Sequence, residues 1–179
     1  MYDFQHRKPP NPKAQMTGRL NKAQGACFER LIEQSCQYYK GIGTAVIEKT
    51  PEPFHITRNL GDGKFQGNFA KAAQPDFKGV LRGGRMIAFE AKHSADDRIS
   101  QSRVTAEQAA ALDSYEKIGA MCFVFVSLKM QDFFLIPWPA WKSMKRWSGR
   151  KYATAEEMAE WRVRFDGQKI RFLHEEAAP

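Results

Sequence analysis

The chain has 179 residues, with 28 Lys and Arg against 20 Asp and Glu, so it is about one domain long and carries a formal net charge of +8. That length is enough to bury a real apolar core, and the positive surplus favours a polyanionic partner. The longest apolar runs fall short of the ~18 residues a membrane span needs, the N-terminus has no apolar signal core, and Cys27, Cys36 and Cys122 form no C-x-x-C pair and, with four scattered histidines, no zinc pattern.

In chain order, residues 1–19 (MYDFQHRKPPNPKAQMTGR) hold three prolines, no periodicity, and the basic residues Arg7, Lys8, Lys13 and Arg19. They are expected to form a flexible basic arm that lies along phosphates, leaving 20–179 as the folded domain. From about Lys22 to Tyr39, Phe28, Leu31, Ile32, Cys36 and Tyr39 follow the spacing of an amphipathic helix, ended by Gly41 and Gly43. Glu29 lies at the edge of that apolar stripe, either solvated or reaching inward. A short strand, Thr44 to Lys49, is stopped by Pro51 and Pro53. The excursion from about 54 to 73 carries Arg58, Lys64 and Lys71 beside Phe65 and Phe69. An insertion of that length inside a compact domain is functional or disordered.

Gln74 to Ser94 (QPDFKGVLRGGRMIAFEAKHS) reads as two strands joined at Gly83-Gly84. Alternation sends Ile87, Phe89 and Ala91 to one face and Glu90 and Lys92 to the other. Pairing through the turn brings Asp76 roughly opposite Glu90, so two carboxylates and an ammonium converge at one end of the hairpin. That set suits a hard divalent cation with a lysine beside it. Charges inside so apolar a strand are rare unless paired or functional.

A polar connection, Ala95 to Arg103, leads to a helix from Val104 to about Lys117 with Val104, Ala111, Leu112 and Tyr115 on its buried face. Gln108 falls on the same face and needs a partner. It either closes a capping box with Thr105 or contacts the metal site. Met121 to Leu128 is a near-continuous apolar run, hence a central strand covered on both faces. Asp132 to Pro137 returns the chain. A helical stretch follows around Trp138 to Trp147, then a capping box at Thr154 and Glu157 opening a short helix to Trp161, and an edge strand within Gln168 to Leu173. The tail beyond is expected to fray.

PDFKGVL and IAFEAK resemble the core of the PD-(D/E)XK nucleases, and specifically the RecU-type Holliday junction resolvases. Residues 25–53 are similar to that family's first helix and strand, and residues 104–126 to its glutamine-bearing helix and following strand. The resemblance implies an α/β, restriction-endonuclease-like fold: a central mixed β-sheet flanked by helices, with the 54–73 insertion as a projecting stalk. It also implies a magnesium-dependent endonuclease, manganese substituting, that cuts four-way DNA junctions by paired nicks as a homodimer. Asp76, Glu90 and the Ala91 carbonyl would hold the metal, Glu29 and Gln108 would complete or orient the site, and Lys92 would position or deprotonate the attacking water or neutralise charge on the phosphate. Arg7, Lys8, Lys13, Arg19, Arg58, Lys64 and Lys71 would contact DNA. Three departures, Pro75 for a threonine, Ala88 for an acid and a hairpin about one residue longer, imply a somewhat different ligand set. The rival expectations are a nuclease of the same core acting on linear or damaged duplex, and a non-catalytic DNA-binding module. The reduced thiols and the polyanionic partner place the protein in a cytoplasm beside the nucleoid, or in a host's cytoplasm if its source is viral, with no membrane partner.

Overall fold

Helix α1 spans Pro12–Gly41 in the computed structural model, which describes residues 12–51, 54–69 and 74–173. Proline is tolerated at a helix start, where its missing N–H is not needed, and the first turns that follow contain strong helix formers. Residues 12–19 are therefore helix, not part of the expected arm, and 1–11 lie outside the described residues. Positions 15–23 are all exposed, and burial begins in earnest at Phe28. From there Phe28, Ile32, Cys36 and Tyr39 form one buried stripe, at the positions the periodicity assigns.

The remaining elements are β1 (Ala45–Lys49), β2 (Phe54–Gly61), β3 (Lys64–Phe69), β4 (Phe77–Leu81), β5 (Met86–Ser94), β6 (Arg98–Ser100), α2 (Ala106–Lys117), β7 (Met121–Leu128), β8 (Asp132–Pro137), α3 (Trp138–Lys142), α4 (Met144–Ser148), β9 (Tyr152–Thr154), β10 (Arg162–Phe165) and β11 (Ile170–Arg171). Seven strands make one mixed sheet in the order β1-β4-β5-β7-β8-β10-β11. Strands β5 and β7 run parallel and the other pairs antiparallel. The crossover between β5 and β7 carries β6 and α2, as a parallel pair requires.

Each face of the sheet has its own core. Facing α1, Phe77, Phe89, Phe125 and Phe133 join Phe28, Ile32 and Tyr39; facing α2, Ala88, Val124, Val126 and Phe134 join Leu112, Ile99, Trp141 and Met158. Phe77 and Phe89 stack at 5.1 Å between ring centroids, and Phe89 meets Phe125 edge-on at 5.8 Å. This aromatic run pins the β4–β5 register at Phe77↔Phe89, because a one-residue slip of either strand would turn its ring out of the core and break the stack. Gly79 makes the β1–β4 approach possible: a Cβ there would collide with the Val46 carbonyl oxygen. The C-terminal strand is tied to α1, since Tyr39 Oη accepts from the Phe172 and Leu173 N–H groups and Ser35 Oγ accepts from Ile170 N–H.

Some expectations gain detail and others need correcting. The 54–73 excursion contains an antiparallel hairpin, β2–β3, turning at Asp62-Gly63, both with positive φ (51° and 72°). An Asp-Gly pair flanked by strand residues is the sequence signal for such a turn. Helix α2 starts after Thr105, so Val104 lies outside it. The polar connection holds a strand, β6, paired with β9. Residues after Thr154 form turns and only a 3-10 stretch at Ala159–Trp161, although Glu157 does accept from the Thr154 N–H at 2.9 Å. No helix among the described residues is long and apolar enough to cross a membrane.

Candidate active site

The register that stacks Phe77 on Phe89 puts Asp76, one residue earlier, opposite Glu90. Asp76 Oδ2 accepts the Ala91 N–H at 2.9 Å and lies 3.7 Å from Lys92 Nζ, whereas Glu90 Oε2 accepts from Lys92 Nζ at 2.8 Å. The three side chains therefore meet at the C-terminal half of β5, as the alternation of that strand requires. Burial is graded: the Glu90 side chain is 0% exposed, Lys92 13% and Asp76 31%. The site opens towards solvent through Asp76 and the lysine ammonium.

The electrostatics follow from this burial. Desolvation is the largest influence on Glu90, followed by the charge of Asp76, and both outweigh the attraction of Lys92, so the carboxyl is pushed up to about 7. Its second oxygen, Oε1, is buried and has no hydrogen-bond partner. So does Thr50 Oγ1, on the residue whose N–H donates to the Asp76 carbonyl at 2.8 Å. A buried oxygen without a donor is costly, and a cation held against Glu90 would remove that cost. No group of three or more carboxylate, imidazole or thiolate side chains capable of holding a metal occurs among the described residues. Two carboxylates at the mouth of the site fit a hard divalent cation that prefers oxygen ligands and keeps several waters.

Glu29 and Gln108 make other contacts in this structure. Glu29 bonds Lys49 Nζ at 2.7 Å, with Glu33 a further partner at 3.5 Å. Because α1 packs on the face opposite Glu90, Glu29 braces the end of β1 from the other side of the sheet. Gln108 closes the capping box, its side-chain oxygen accepting the Thr105 N–H at 3.2 Å while Thr105 Oγ1 accepts the Gln108 N–H at 3.3 Å. Among the basic residues expected on phosphate, Arg19, Arg58 and Lys64 are exposed. Arg7, Lys8, Lys71 and the Lys13 side chain lie outside the described residues. Pro75 is buried, and Ala88 is fully buried on the α2 face, two residues before Glu90 on the same face of β5 and opposite Lys78 in the β4–β5 register.

Sequence reasoning missed a buried polar link beside the site. His93, 7% exposed, places Nε2 3.2 Å from Gln24 Oε1 and Nδ1 3.3 Å from Ser127 Oγ, tying α1 and β7 to β5. Arg103 donates to the His93 carbonyl at 3.0 Å. The two side-chain links of His93 join residues 34 and 69 positions apart, so no local pattern signals them.

The family described as RecU, Recombination protein U, matches residues 23–174. The chain belongs to the RecU family. Among curated RecU relatives, the Holliday junction resolvase RecU of Pediococcus pentosaceus is 31% identical over 120 residues, which are 63% of this chain and 59% of the relative. The Bacillus pumilus Holliday junction resolvase RecU is 28% identical over 172 residues, 88% of this chain and 80% of the relative. The match to the Pediococcus protein thus spans about three fifths of that relative's length. Among solved structures, the Holliday junction resolvase Hjc of Archaeoglobus fulgidus aligns with a TM-score of 0.41 at 16% identity, covering 65% of this chain and 74% of that one. RecU membership spans both flanks of the site, from α1 through the Asp76–Lys92 hairpin to β11.

Proposed function

We propose that this RecU-family chain is a divalent-metal-dependent endonuclease that cuts four-way DNA junctions in recombination and repair. The observation that carries the reading is the buried Glu90 carboxylate, one oxygen unpartnered, beside Asp76 and Lys92 at the open end of β5. A structural ion pair would satisfy both oxygens of a buried carboxylate. The names of the curated relatives support the junction as substrate.

Asp76 and Glu90, with the Ala91 carbonyl, would hold the cation, magnesium by expectation with manganese as substitute. When bound, it supplies Lewis acidity at the scissile phosphodiester and activation of water. The chain's own part is positional. Asp76 is oriented by the Ala91 N–H, which holds its carboxylate beside Glu90 and Lys92. Lys92, paired with Glu90 and near Asp76, is assigned to neutralising charge that develops on the phosphate rather than to proton abstraction. The surrounding Ala88, Val124 and Val126 keep water from the inner side of Glu90, which strengthens these interactions. Arg19 and the hairpin residues Arg58 and Lys64 would contact phosphate away from the chemistry, and Glu29 and Gln108 would act through β1 and the α2 cap. A reducing cytoplasm is the expected setting, the protein working there as a homodimer.

Labelled four-way junctions and linear duplexes, incubated with and without magnesium, test the proposal. Junctions should be cut only with the metal. Asp76→Asn and Glu90→Gln should each abolish cutting while leaving DNA affinity nearly intact, because affinity comes mainly from phosphate contacts elsewhere. Cutting at the wild-type rate by either variant would remove the site assignment, and equal cutting of linear duplex would make this a general nuclease.

A further inference from the structure

Strand β6 leaves β5 after only a three-residue bend, so it stands at the same end of the sheet as Glu90 and Lys92. It also lies over the same face, because Ile99 and Ala153 pack inward with Ala88, Val124 and Val126. Alternation then turns Arg98 and Ser100 of β6, and Tyr152 and Thr154 of β9, outward, in the register Arg98↔Thr154 and Ser100↔Tyr152. Two guanidiniums lie against the Tyr152 ring, Arg98 at 5.1 Å and Arg150 at 4.7 Å from its centroid. Arg150 also pairs with Glu157 at 2.8 Å. For Arg98, no carboxylate partner is recorded among the described residues, although Asp96 and Asp97 occupy the bend just before it. The ribbon is fastened to β5 by Ser94 Oγ, which donates to the Arg98 carbonyl at 2.8 Å, and to α3 by Gln101 Nε2, which donates to the Trp141 carbonyl at 2.8 Å.

An arginine held against an aromatic ring has less freedom to lose when it binds, and its planar fork matches phosphate. Lys151, which leads into β9, and Lys145 and Arg146 of α4 are also exposed. We propose that Arg98 is a phosphate anchor for the DNA strand running past the Glu90–Lys92 centre, with Tyr152 as its positioning residue. The proposal takes its ligand from the nuclease reading above but places a contact in a ribbon that the sequence shows only as a polar connection. It also gives the Arg–Tyr stack a function beyond joining β6 to β9.

The test is a binding titration in chelator with the full-length chain and a labelled four-way junction, at a series of salt concentrations. Losing one phosphate contact lowers the slope of log affinity against log salt by about 0.9 and, for a charge-assisted bond, weakens binding roughly tenfold. Arg98→Ala should show both changes. Arg98→Gln, which keeps a planar side chain against the ring, should show the same loss of slope if the alanine variant folds poorly. Tyr152→Phe should match wild type, and Tyr152→Ala should lose affinity at an unchanged slope, because the charge remains but is no longer held. Wild-type slope and affinity in both Arg98 variants, with circular dichroism showing a folded protein, would overturn the anchor, as would Tyr152→Ala binding like wild type overturn the positioning role. Because binding in chelator needs no catalysis, a wild-type protein that binds but does not cut junctions would count against the proposed activity alone.

Discussion

At Glu90, burial and the proposed metal-binding role pull in opposite directions. The carboxyl is pushed up to about 7 by desolvation first and by Asp76 second. The folded protein therefore keeps a proton that the unfolded chain, with a carboxyl near 4.5, releases. Its stabilising contribution is complete below about 4.5 and is lost as pH rises through about 7. In chelator, the melting temperature should thus decline across this window, and Glu90→Gln should flatten the decline because the amide has no proton to lose. The difference between the two proteins isolates Glu90 from His93, whose value is lowered by burial and Arg103 and acts in the opposite sense. A gain for the variant of a few degrees at pH about 8 is expected, at roughly 2–4 °C per kcal/mol for a chain this size. Parallel melting curves at every pH would mean that Glu90 is not strained by its burial.

Among the described elements, β2 and β3 pair only with each other. Their hairpin forms a separate two-stranded sheet, and Ile56, Leu60 and Phe65 stand 57%, 55% and 49% exposed on it beside Arg58 and Lys64. A lone two-stranded ribbon is marginal in water, so its apolar side chains and its cations point to use against another surface. Replacing residues 54–73 with a short Gly-Ser link should leave the seven-stranded sheet folded, since β1 and β4 already pair directly. The expected loss is in preference for a four-way junction over linear duplex, by about tenfold or more, against a smaller drop in duplex affinity. Unchanged preference in a competition assay would reduce the hairpin to a surface loop.

For the whole molecule, the proposed substrate sets the expected stoichiometry. A four-way junction is resolved productively when two strands of like polarity are cut at symmetry-related points, and one chain holds one Asp76–Glu90–Lys92 cluster. A closed two-fold dimer supplies two such clusters, with a mass of about 41 kDa, twice the 20.5 kDa of the chain. Light scattering at micromolar concentration should return that dimer, and a cruciform plasmid should go directly to linear product. A monomer, or an open circle that accumulates first, would count against paired cutting.

Much of this was legible in the sequence because it depends on local periodicity. The alternation IAFEAK separates Glu90 and Lys92 from Phe89, the 3.6-residue spacing from Phe28 to Tyr39 gives the buried stripe of α1, and the T-x-x-Q spacing gives the α2 cap. The apolar run MCFVFVSL reports burial on both faces of β7. What only the tertiary structure decided are relations between distant segments. Nothing local places Glu29 on the far side of the sheet from Glu90, joins His93 to Gln24 and Ser127, or sets Arg98 against Tyr152, 54 positions away. Short strands such as β6 and β9 carry too few residues for a period to show, and their pairing is fixed by the burial of Ile99 and Ala153 against the sheet. Pattern reports which face of an element is apolar, whereas the partner that covers that face is chosen by packing, which no single segment encodes.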